Sequence, residues 1–298
     1  MPSLLDLRRR IKSVKNTRQI TKAMKMVAAA KLKRAQDRVT AARPFALKMT
    51  EVLSNLSSKI EADFSHPLMD ARGDSKYLIV LMTADKGLCG AFNSNLIKAA
   101  QVFIAENRDK NIEMIPVGRR GRDFFRRRNV PFAAEYTGLT GKGQVEFSEA
   151  KEVAQDIIKR FAGDETIDKV FLVFSEFKTV LSQRAVVEQL LPIARDAEKN
   201  EETSVAQTNP EAAATEYIYE QPATEIFSKL LPRQVETQIY RAFLESIASE
   251  QGSRMTAMDS ASKNAGELID SLTLNMNRIR QAAITKEIIE VVSGASAM

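Results

Sequence analysis

The sequence is poor in the residues that build common catalytic and metal sites. Its 298 residues include one cysteine, one histidine and no tryptophan. The single cysteine, Cys89, excludes an internal disulfide and a cysteine-rich metal site, and the single histidine, His66, excludes a multi-histidine site. No apolar run reaches the ~18 residues of a membrane span, and three early arginines with no apolar segment after them argue against a signal peptide. These absences predict a soluble, intracellular protein.

Charge is distributed unevenly along the chain. Residues 1–43 contain thirteen Lys and Arg against two acids, whereas the whole chain has a net charge of +6. Residues 44–298 are therefore mildly acidic. A basic arm of this kind predicts an acidic partner, which can be a nucleic acid, an anionic membrane surface or an acidic protein.

Glycine is absent before Gly73, and nine of the twelve glycines lie between Gly73 and Gly163. The last proline is Pro232. Two long ends with few helix breakers therefore flank a middle that is rich in them. This distribution predicts long helices at both ends and an alternating structure between them.

The first end has the pattern of a long helix. Ser3 and Asp6 fit a capping box, and small or apolar residues then recur every three or four positions. Forty residues of helix would be about 60 Å long. The face shifts midway, towards Ile20, Met24 and Val27, which predicts a coiled coil with a stutter or a change of partner. The predicted seam consists of Leu4, Leu7, Ile11, Val14, Arg18, Thr21, Lys25, Ala28, Leu32, Ala35, Val39 and Ala42.

The last end shows a similar seam, and Gly294 is a plausible residue just beyond its final turn. Two such helices most simply pair with each other as an antiparallel coiled coil. The predicted seam consists of Val235, Ile239, Phe243, Met258, Ala261, Ala265, Leu268, Leu272, Met276, Ile279 and Ala283.

The middle of the chain alternates strand-like and helix-like segments, which is typical of an α/β layer with a mostly parallel sheet. Residues 76–83 form an apolar run expected of a strand buried on both faces. A polar stretch over 194–214 predicts a surface loop, and 216–220 predicts a short strand. The remaining predicted strands cover 112–117, 169–177 and 186–193, and the helices cover 95–106 and 145–161.

Two glycine-containing segments, 83–90 and 138–143, resemble phosphate-binding loops in composition. Neither fits GxGxxG or GxxxxGK[ST], so tight turns are the favoured interpretation. Cys89 lies beside Lys86, but no histidine–acid pair activates it, which favours an ordinary loop thiol. A nucleotide-dependent enzyme built on the middle segment stays as an alternative hypothesis. It predicts saturable nucleotide binding that is lost on changing Lys86 or Gly87.

A dense basic cluster surrounds Phe124 and Phe125. It fits a solvated amphipathic helix and a site for anions equally well. A nucleic-acid-binding coiled coil is a second alternative, and it predicts strongly salt-dependent binding of DNA. Apolar seams along both ends disfavour each alternative. The cluster consists of Arg119, Arg120, Arg122, Arg126, Arg127 and Arg128.

Four motifs, in order along the chain, resemble the gamma subunit of bacterial F-type ATP synthases. The run ITKEIIEVVSGASA over 284–297 is similar to the C-terminal signature of that family, and NTRQITKAMKMVAAAK over 16–31 is similar to its N-terminal helix. TADKGLCG over 83–90 and ASEQGSRMTAM over 248–258 match two further stretches. The chain also lacks the cysteine insertion and the transit peptide of chloroplast forms.

The resemblance implies a Rossmann-like α/β domain over 74–220, flanked by helices over 1–60 and 226–298 that pair as an antiparallel coiled-coil axle. It implies a rotor shaft that couples ion translocation at a membrane c-ring to ATP synthesis or hydrolysis in a ring of alpha and beta subunits. The shaft itself would have no active site, cofactor or metal. One copy would lie at the cytoplasmic face of the bacterial inner membrane, without spanning it.

The resemblance also implies contact residues. Those towards the beta subunits would be Arg280, Gln281, Thr285, Met24, Lys25, Lys86 and Cys89. Those towards epsilon and the c-ring would be Tyr217, Tyr219 and Glu220. Lys25 stands where an acid is equally acceptable, and it adds a positive charge beside Met24.

Overall fold

The computed structural model describes residues 3–57, 60, 64–180, 182–193 and 221–296. Within the described residues, the helices predicted over 95–106 and 145–161 and the strands predicted over 76–83, 112–117, 169–177 and 186–193 are present with small shifts at their ends. Within this part of the chain, no helix is long and apolar enough to cross a membrane. The elements are α1 (Leu4–Ser57), β1 (Lys76–Met82), α2 (Phe92–Glu106), β2 (Asn111–Val117), α3 (Arg119–Arg126), α4 (Phe147–Gly163), β3 (Lys169–Phe177), β4 (Gln183–Leu191) and α5 (Ala223–Ser296).

The chain divides into two compact units, and both long helices contribute to each. One unit is Met1–Ala30 with Arg254–Met298, and the other is Lys31–Ser253. The predicted loop over 194–214 and the predicted strand over 216–220 lie outside the described residues.

The larger unit contains a four-stranded sheet in the order β2-β1-β3-β4. β1 pairs in parallel with β2 and β3, whereas β4 runs antiparallel to β3. β4 is antiparallel because a short turn, rather than a crossover helix, joins it to β3. The sheet is therefore mostly parallel, as the alternation predicted.

The central strands of the sheet are buried on both faces. Six of the seven residues of β1 are buried, as expected of a strand covered on both sides. On one face, Ile79 and Leu81 pack in a core with Phe92 and Leu96 of α2. On the other face, the Ser175 N–H donates to Ser246 Oγ at 3.2 Å, which ties β3 to α5.

In the smaller unit the two long helices pair antiparallel, as predicted. Leu7 and Ile11 of α1 form one core with Ile269 and Leu272 of α5. Further along α1, Lys25 contacts Asp259, so contacts that ascend on one helix descend on the other. The start of α1 carries the predicted capping box, because the Asp6 N–H donates to Ser3 Oγ and the Ser3 N–H donates to the Asp6 carboxylate.

In the smaller unit the α1 seam keeps one register, and the shifted face at Ile20 and Val27 is exposed. Thr21 and Ala28 are buried, whereas Ile20 and Val27 are more than half exposed. The shifted face is therefore not part of the core between α1 and α5, and a change of partner midway stays a prediction. The small side chains at Thr21 and Ala28 let the helices approach closely, while larger ones would separate them.

Two details of α5 differ from the prediction. Ile269 is buried and Leu268 is 41 % exposed, because the seam steps four residues from Ala265 and then three to Leu272, rather than three and then four. α5 also continues to Ser296, so Gly294 lies inside the helix and does not terminate it. One glycine near a helix end costs only about 1 kcal/mol, which is too little to stop a long helix.

Candidate partner-binding surfaces

The first candidate surface surrounds Met24 on α1, where the helix pair carries a small charge network. Lys25 Nζ lies 2.6 Å from Asp259 Oδ1, and Lys263 Nζ lies 3.3 Å from Asp259 Oδ2. Hydrogen bonds from Lys25 and then Lys263 hold the pKa of Asp259 below its usual range. Met24 is half-buried next to this network. The charge of Lys25 is therefore balanced by an acid on the partner helix.

The second candidate surface is the end of α5. Arg280, Gln281 and Thr285 are all exposed, and the Thr285 hydroxyl donates to the Gln281 carbonyl at 2.9 Å. Large apolar side chains alternate with them on the exposed helix: Ile284, Ile288, Ile289, Val291 and Val292. Exposed aliphatic groups in this number mark an interaction site.

The third candidate surface is the loop after β1, and Asp85 organises it. The Asp85 carboxylate accepts hydrogen bonds from the N–H groups of Arg119, Gly138 and Gly141 at 2.8–3.2 Å and from Thr140 Oγ1 at 3.0 Å. Burial opposes ionisation of this carboxyl group, but the four hydrogen bonds outweigh burial and lower its pKa. Asp85 thus joins two segments to the loop after β1 at the carboxyl end of the sheet: the start of α3 and the loop over 138–141.

This arrangement explains why the glycine-containing turns do not form a phosphate loop. Backbone N–H groups at the carboxyl ends of parallel strands are the usual donors to a phosphate. Here the donors at Arg119, Gly138 and Gly141 point to the Asp85 carboxylate instead. The favoured interpretation of the 83–90 and 138–143 segments as turns agrees with this geometry.

The two predicted contact residues of this loop, Lys86 and Cys89, differ in their exposure to solvent. Lys86 is exposed, whereas Cys89 is buried and its sulfur accepts a hydrogen bond from Asn93 Nδ2 at 3.1 Å. Leu88, between them, is 63 % exposed. His66 is half-buried, and its Nδ1 accepts from the Leu68 N–H at 3.2 Å, which is a local structural role. Tyr217, Tyr219 and Glu220 lie outside the described residues.

Two arginines of the cluster over 119–128 have carboxylate partners. Arg122 pairs with Asp123, and Arg126 pairs with Glu135. Phe125 is buried beneath the helix. These paired residues fit a solvated amphipathic helix, which was one of the two interpretations of the cluster.

Sequence reasoning missed two acids, Asp85 and Asp259. Asp85 follows a buried strand within a turn-like segment, and an aspartate in that place often accepts backbone hydrogen bonds. That signal was available in the sequence. Asp259 carried no such signal, because its partner Lys25 lies on the other long helix.

Two long paired helices and a mostly parallel α/β sheet define a coiled-coil protein with one α/β domain. The family model described as ATP synthase matches residues 3–298. An ATP synthase gamma chain from Solibacter usitatus is 51 % identical over 100 % of this chain and 99 % of its own. One from Desulforamulus reducens is 50 % identical over 100 % of both chains. The chain belongs to the family of ATP synthase gamma chains.

Solved structures agree with this assignment. A chain of the central stalk and c-ring of Tetrahymena thermophila mitochondrial ATP synthase has a TM-score of 0.60 and 26 % identity, over 82 % of this chain and 99 % of that one. A chain of the Euglena gracilis mitochondrial enzyme has a TM-score of 0.68 over 99 % of this chain and 94 % of that one. At 19 % identity, the second comparison shows the fold alone.

Proposed function

We propose that this chain is the central rotor shaft of an ATP synthase, transmitting torque between a membrane c-ring and a catalytic ring of alpha and beta subunits. The observation that carries the proposal is the antiparallel pairing of α1 and α5 together with the exposed, largely apolar end of α5. A pair of long helices with few breakers resists bending. An apolar end suits a smooth collar in which the shaft turns.

The charges at the helix pair suit a rotor that must release each contact it makes. Exposed ion pairs in water contribute little and are screened by salt, whereas buried pairs would hold the rotor in one position. Lys25 is partly exposed and already engaged by Asp259. Its attraction to an acidic beta-subunit loop is therefore weakened, which favours reversible contact beside Met24.

Individual residues receive roles within this proposal. Arg280, Gln281 and Thr285 hydrogen-bond a loop of one beta subunit, and Met24, Lys25 and Lys86 face the beta lever loops. Cys89 supports the loop that presents Lys86, because its own side chain is buried. Epsilon and the c-ring contact Tyr217, Tyr219 and Glu220.

The chain's place in the assembly follows from these roles. The ranges 1–60 and 226–298 act as one axle, and 74–220 forms the α/β domain. The chain performs no catalysis itself. It is a single, peripheral copy at the cytoplasmic face of a bacterial membrane.

The test is co-expression with alpha and beta subunits from the same source. We expect a stable complex with one copy of this chain per three beta subunits. Combined Arg280→Ala and Gln281→Ala should lower ATPase turnover about tenfold or more. The variant loses the two hydrogen bonds by which the shaft acts on a beta subunit during the catalytic cycle. The matched control is Arg108→Ala, an exposed arginine in the turn before β2, which should leave turnover unchanged.

Two results would contradict the proposal. One is a chain that stays monomeric while the alpha–beta ring keeps its activity. The other is an equal effect of the double variant and the control. In the first case, salt-dependent retention of the chain on DNA would favour the nucleic-acid-binding alternative.

A further inference from the structure

A cavity of about 300 Å³ opens on the surface of the larger unit, between α1, α5 and the start of α4. Its wall is almost entirely carbon, and three aromatic rings contribute to it: Phe45 from α1, Phe147 from α4 and Tyr240 from α5. Ligand pockets in proteins are concave and mostly apolar, and their volumes begin at roughly 300 Å³. The cavity is therefore large enough for a small organic molecule.

The aromatic rings of this cavity are positioned by packing but remain open to solvent. Phe147 and Tyr240 meet edge to face, with 5.4 Å between their ring centroids. Phe45 is 59 % exposed and Phe147 is 44 % exposed. Apolar rings in contact with water lack the free energy that burial provides. A ligand with an apolar body would bury both rings further and gain that free energy.

Small side chains leave this space open. Ala42 and Ala46 lie about one turn apart on α1, and both line the cavity. Larger side chains at these two positions would fill the cavity with atoms of the chain itself. The cavity therefore depends on two alanines, and a single substitution at either one can close it.

Arg43 supplies positive charge beside the apolar wall. The other arginine of the lining, Arg241, is engaged, because its Nη2 lies 2.7 Å from a carboxylate oxygen of Glu188. Arg43 is exposed, and among the residues that the structure describes it forms no ion pair. The acid closest to it in its electrostatic effect, Glu245, is buried, and burial raises the pKa of that carboxyl group despite both arginines. Arg43 can therefore bind an anion from solvent.

We propose that this cavity binds an amphipathic carboxylate, a small molecule with one apolar chain or ring and one carboxylate group. The apolar part lies against the three aromatic rings, and the carboxylate accepts hydrogen bonds from the Arg43 guanidinium at the opening. A guanidinium binds a carboxylate through two parallel hydrogen bonds. A cationic ligand of the same shape would place like charges together. The inference does not depend on the proposed rotor function, because the cavity lies within one unit of this chain.

The test measures binding of decanoate and of 2-naphthoate to the full chain by isothermal titration calorimetry, at concentrations where decanoate forms no micelles. These two probes distinguish an alkyl ligand from an aromatic one. We expect at least one of them to bind with one molecule per chain. Decyltrimethylammonium has the same alkyl chain and the opposite charge, and it should bind at least about tenfold more weakly than decanoate.

Two variants separate the apolar and the charged part of the site. Ala46→Phe should abolish binding because it fills the cavity, whereas Ala41→Phe, at an exposed alanine of the same helix, should leave binding unchanged. Arg43→Gln should weaken carboxylate binding about tenfold and should not change the affinity for uncharged 1-decanol. Arg108→Gln, at an exposed arginine away from the cavity, should change neither affinity.

Circular dichroism checks that each variant is folded, and Ala42→Phe takes the place of Ala46→Phe if that variant does not fold. Binding of one molecule per chain that is lost on filling the cavity and weakened by Arg43→Gln alone supports the proposal. Three results overturn it: no binding of either carboxylate, several bound molecules per chain, or binding that persists in the filled variant. Equal affinity for decanoate and decyltrimethylammonium, or equal effects of Arg43→Gln and Arg108→Gln, overturns it as well.

Discussion

Lys25 on α1 and Asp259 on α5 form an ion pair with 2.6 Å between Nζ and Oδ1, and they join the two helices beside Met24. The sequence resemblance marked Lys25 as an added positive charge. The structure shows that this charge has a partner within the same chain. An acid at position 25 would need a base at position 259 to keep the helices joined in the same way.

Exchanging these two charges tests the pair. Lys25→Glu and Asp259→Lys should each lower the Tm of the chain slightly, because each places like charges opposite one another. The combined exchange should restore part of the loss, because it re-forms an opposite-charge pair between the helices but places a base at position 259 beside Lys263. The measurement is thermal unfolding by circular dichroism at low and high salt, and the differences should shrink at high salt.

The pair should also depend on pH in one direction. The folded-state pKa of Asp259 is lowered, so its contribution is complete above the unfolded value of about 3.9 and is lost as the pH falls through the folded value. In the charge-exchange experiment, losses of Tm that simply add in the Lys25→Glu, Asp259→Lys double variant would show that the two residues do not interact.

The paired helices illustrate how far periodicity predicts a core. The antiparallel arrangement and most seam residues of α1 followed from three- and four-residue spacing. The choice between Leu268 and Ile269 did not, because both spacings occur in coiled coils and only the partner helix decides between them. Leu7 and Ile11 select Ile269, which shares their core.

Matched alanine substitutions on α5 test this register. Leu272→Ala should lower the free energy of unfolding by about 2–3 kcal/mol, as expected for a large side chain removed from a core. Leu268→Ala should change it by less than about 1 kcal/mol, because Leu268 is 41 % exposed. Urea unfolding followed by circular dichroism measures both. Equal effects would contradict the register.

In the loop after β1, the sequence predicts the turn but not the hydrogen-bond donors that hold it. Its position after a buried strand was predictable, and so was the preference for a turn. The donors that Asp85 engages come from segments more than thirty residues away, and no local spacing reveals them. The contact residues gave a similar result, since spacing alone did not distinguish exposed Lys86 from buried Cys89.

Asp85 should therefore contribute more to stability than an exposed aspartate. Asp85→Ala leaves three N–H groups and one hydroxyl without their acceptor, and we expect a loss of about 1–3 kcal/mol. Because the folded pKa of Asp85 is lowered, its contribution is lost as the pH falls below about 3.9. Urea unfolding at neutral pH measures the loss, with exposed Asp109→Ala as the control. A change no larger than the control would contradict the role.

Gly118, between β2 and α3, should tolerate no side chain. Its φ is +100°, and a Cβ there would lie 2.1 Å from the Thr83 carbonyl oxygen. Gly118→Ala should lower the free energy of unfolding by more than about 3 kcal/mol, since backbone on both sides must move. Gly163→Ala is the matched control, because nothing lies within 4 Å of its Cβ position. If both variants unfold at the same urea concentration, the close approach is not a real constraint.

Glu245 on α5 should destabilise the folded protein as the pH rises. Its burial raises its pKa, while Arg241 and a backbone hydrogen bond from Phe177 only partly oppose this, and Glu176 adds to it. A carboxyl group with a raised folded pKa contributes most below the unfolded value of about 4.3, and its contribution is lost as the pH rises through the folded value.

Glu245→Gln removes this titration while keeping the size of the side chain. The variant should therefore gain stability relative to the natural chain between pH 4.5 and pH 7.5, as measured by its urea midpoint at both values. Arg241 keeps a carboxylate partner in the variant, since its Nη2 lies 2.7 Å from Glu188. Exposed Glu165→Gln is the control and should show no such pH-dependent gain. A relative loss of stability at the higher pH would mean that ionised Glu245 stabilises the fold through Arg241, and that burial is the smaller effect.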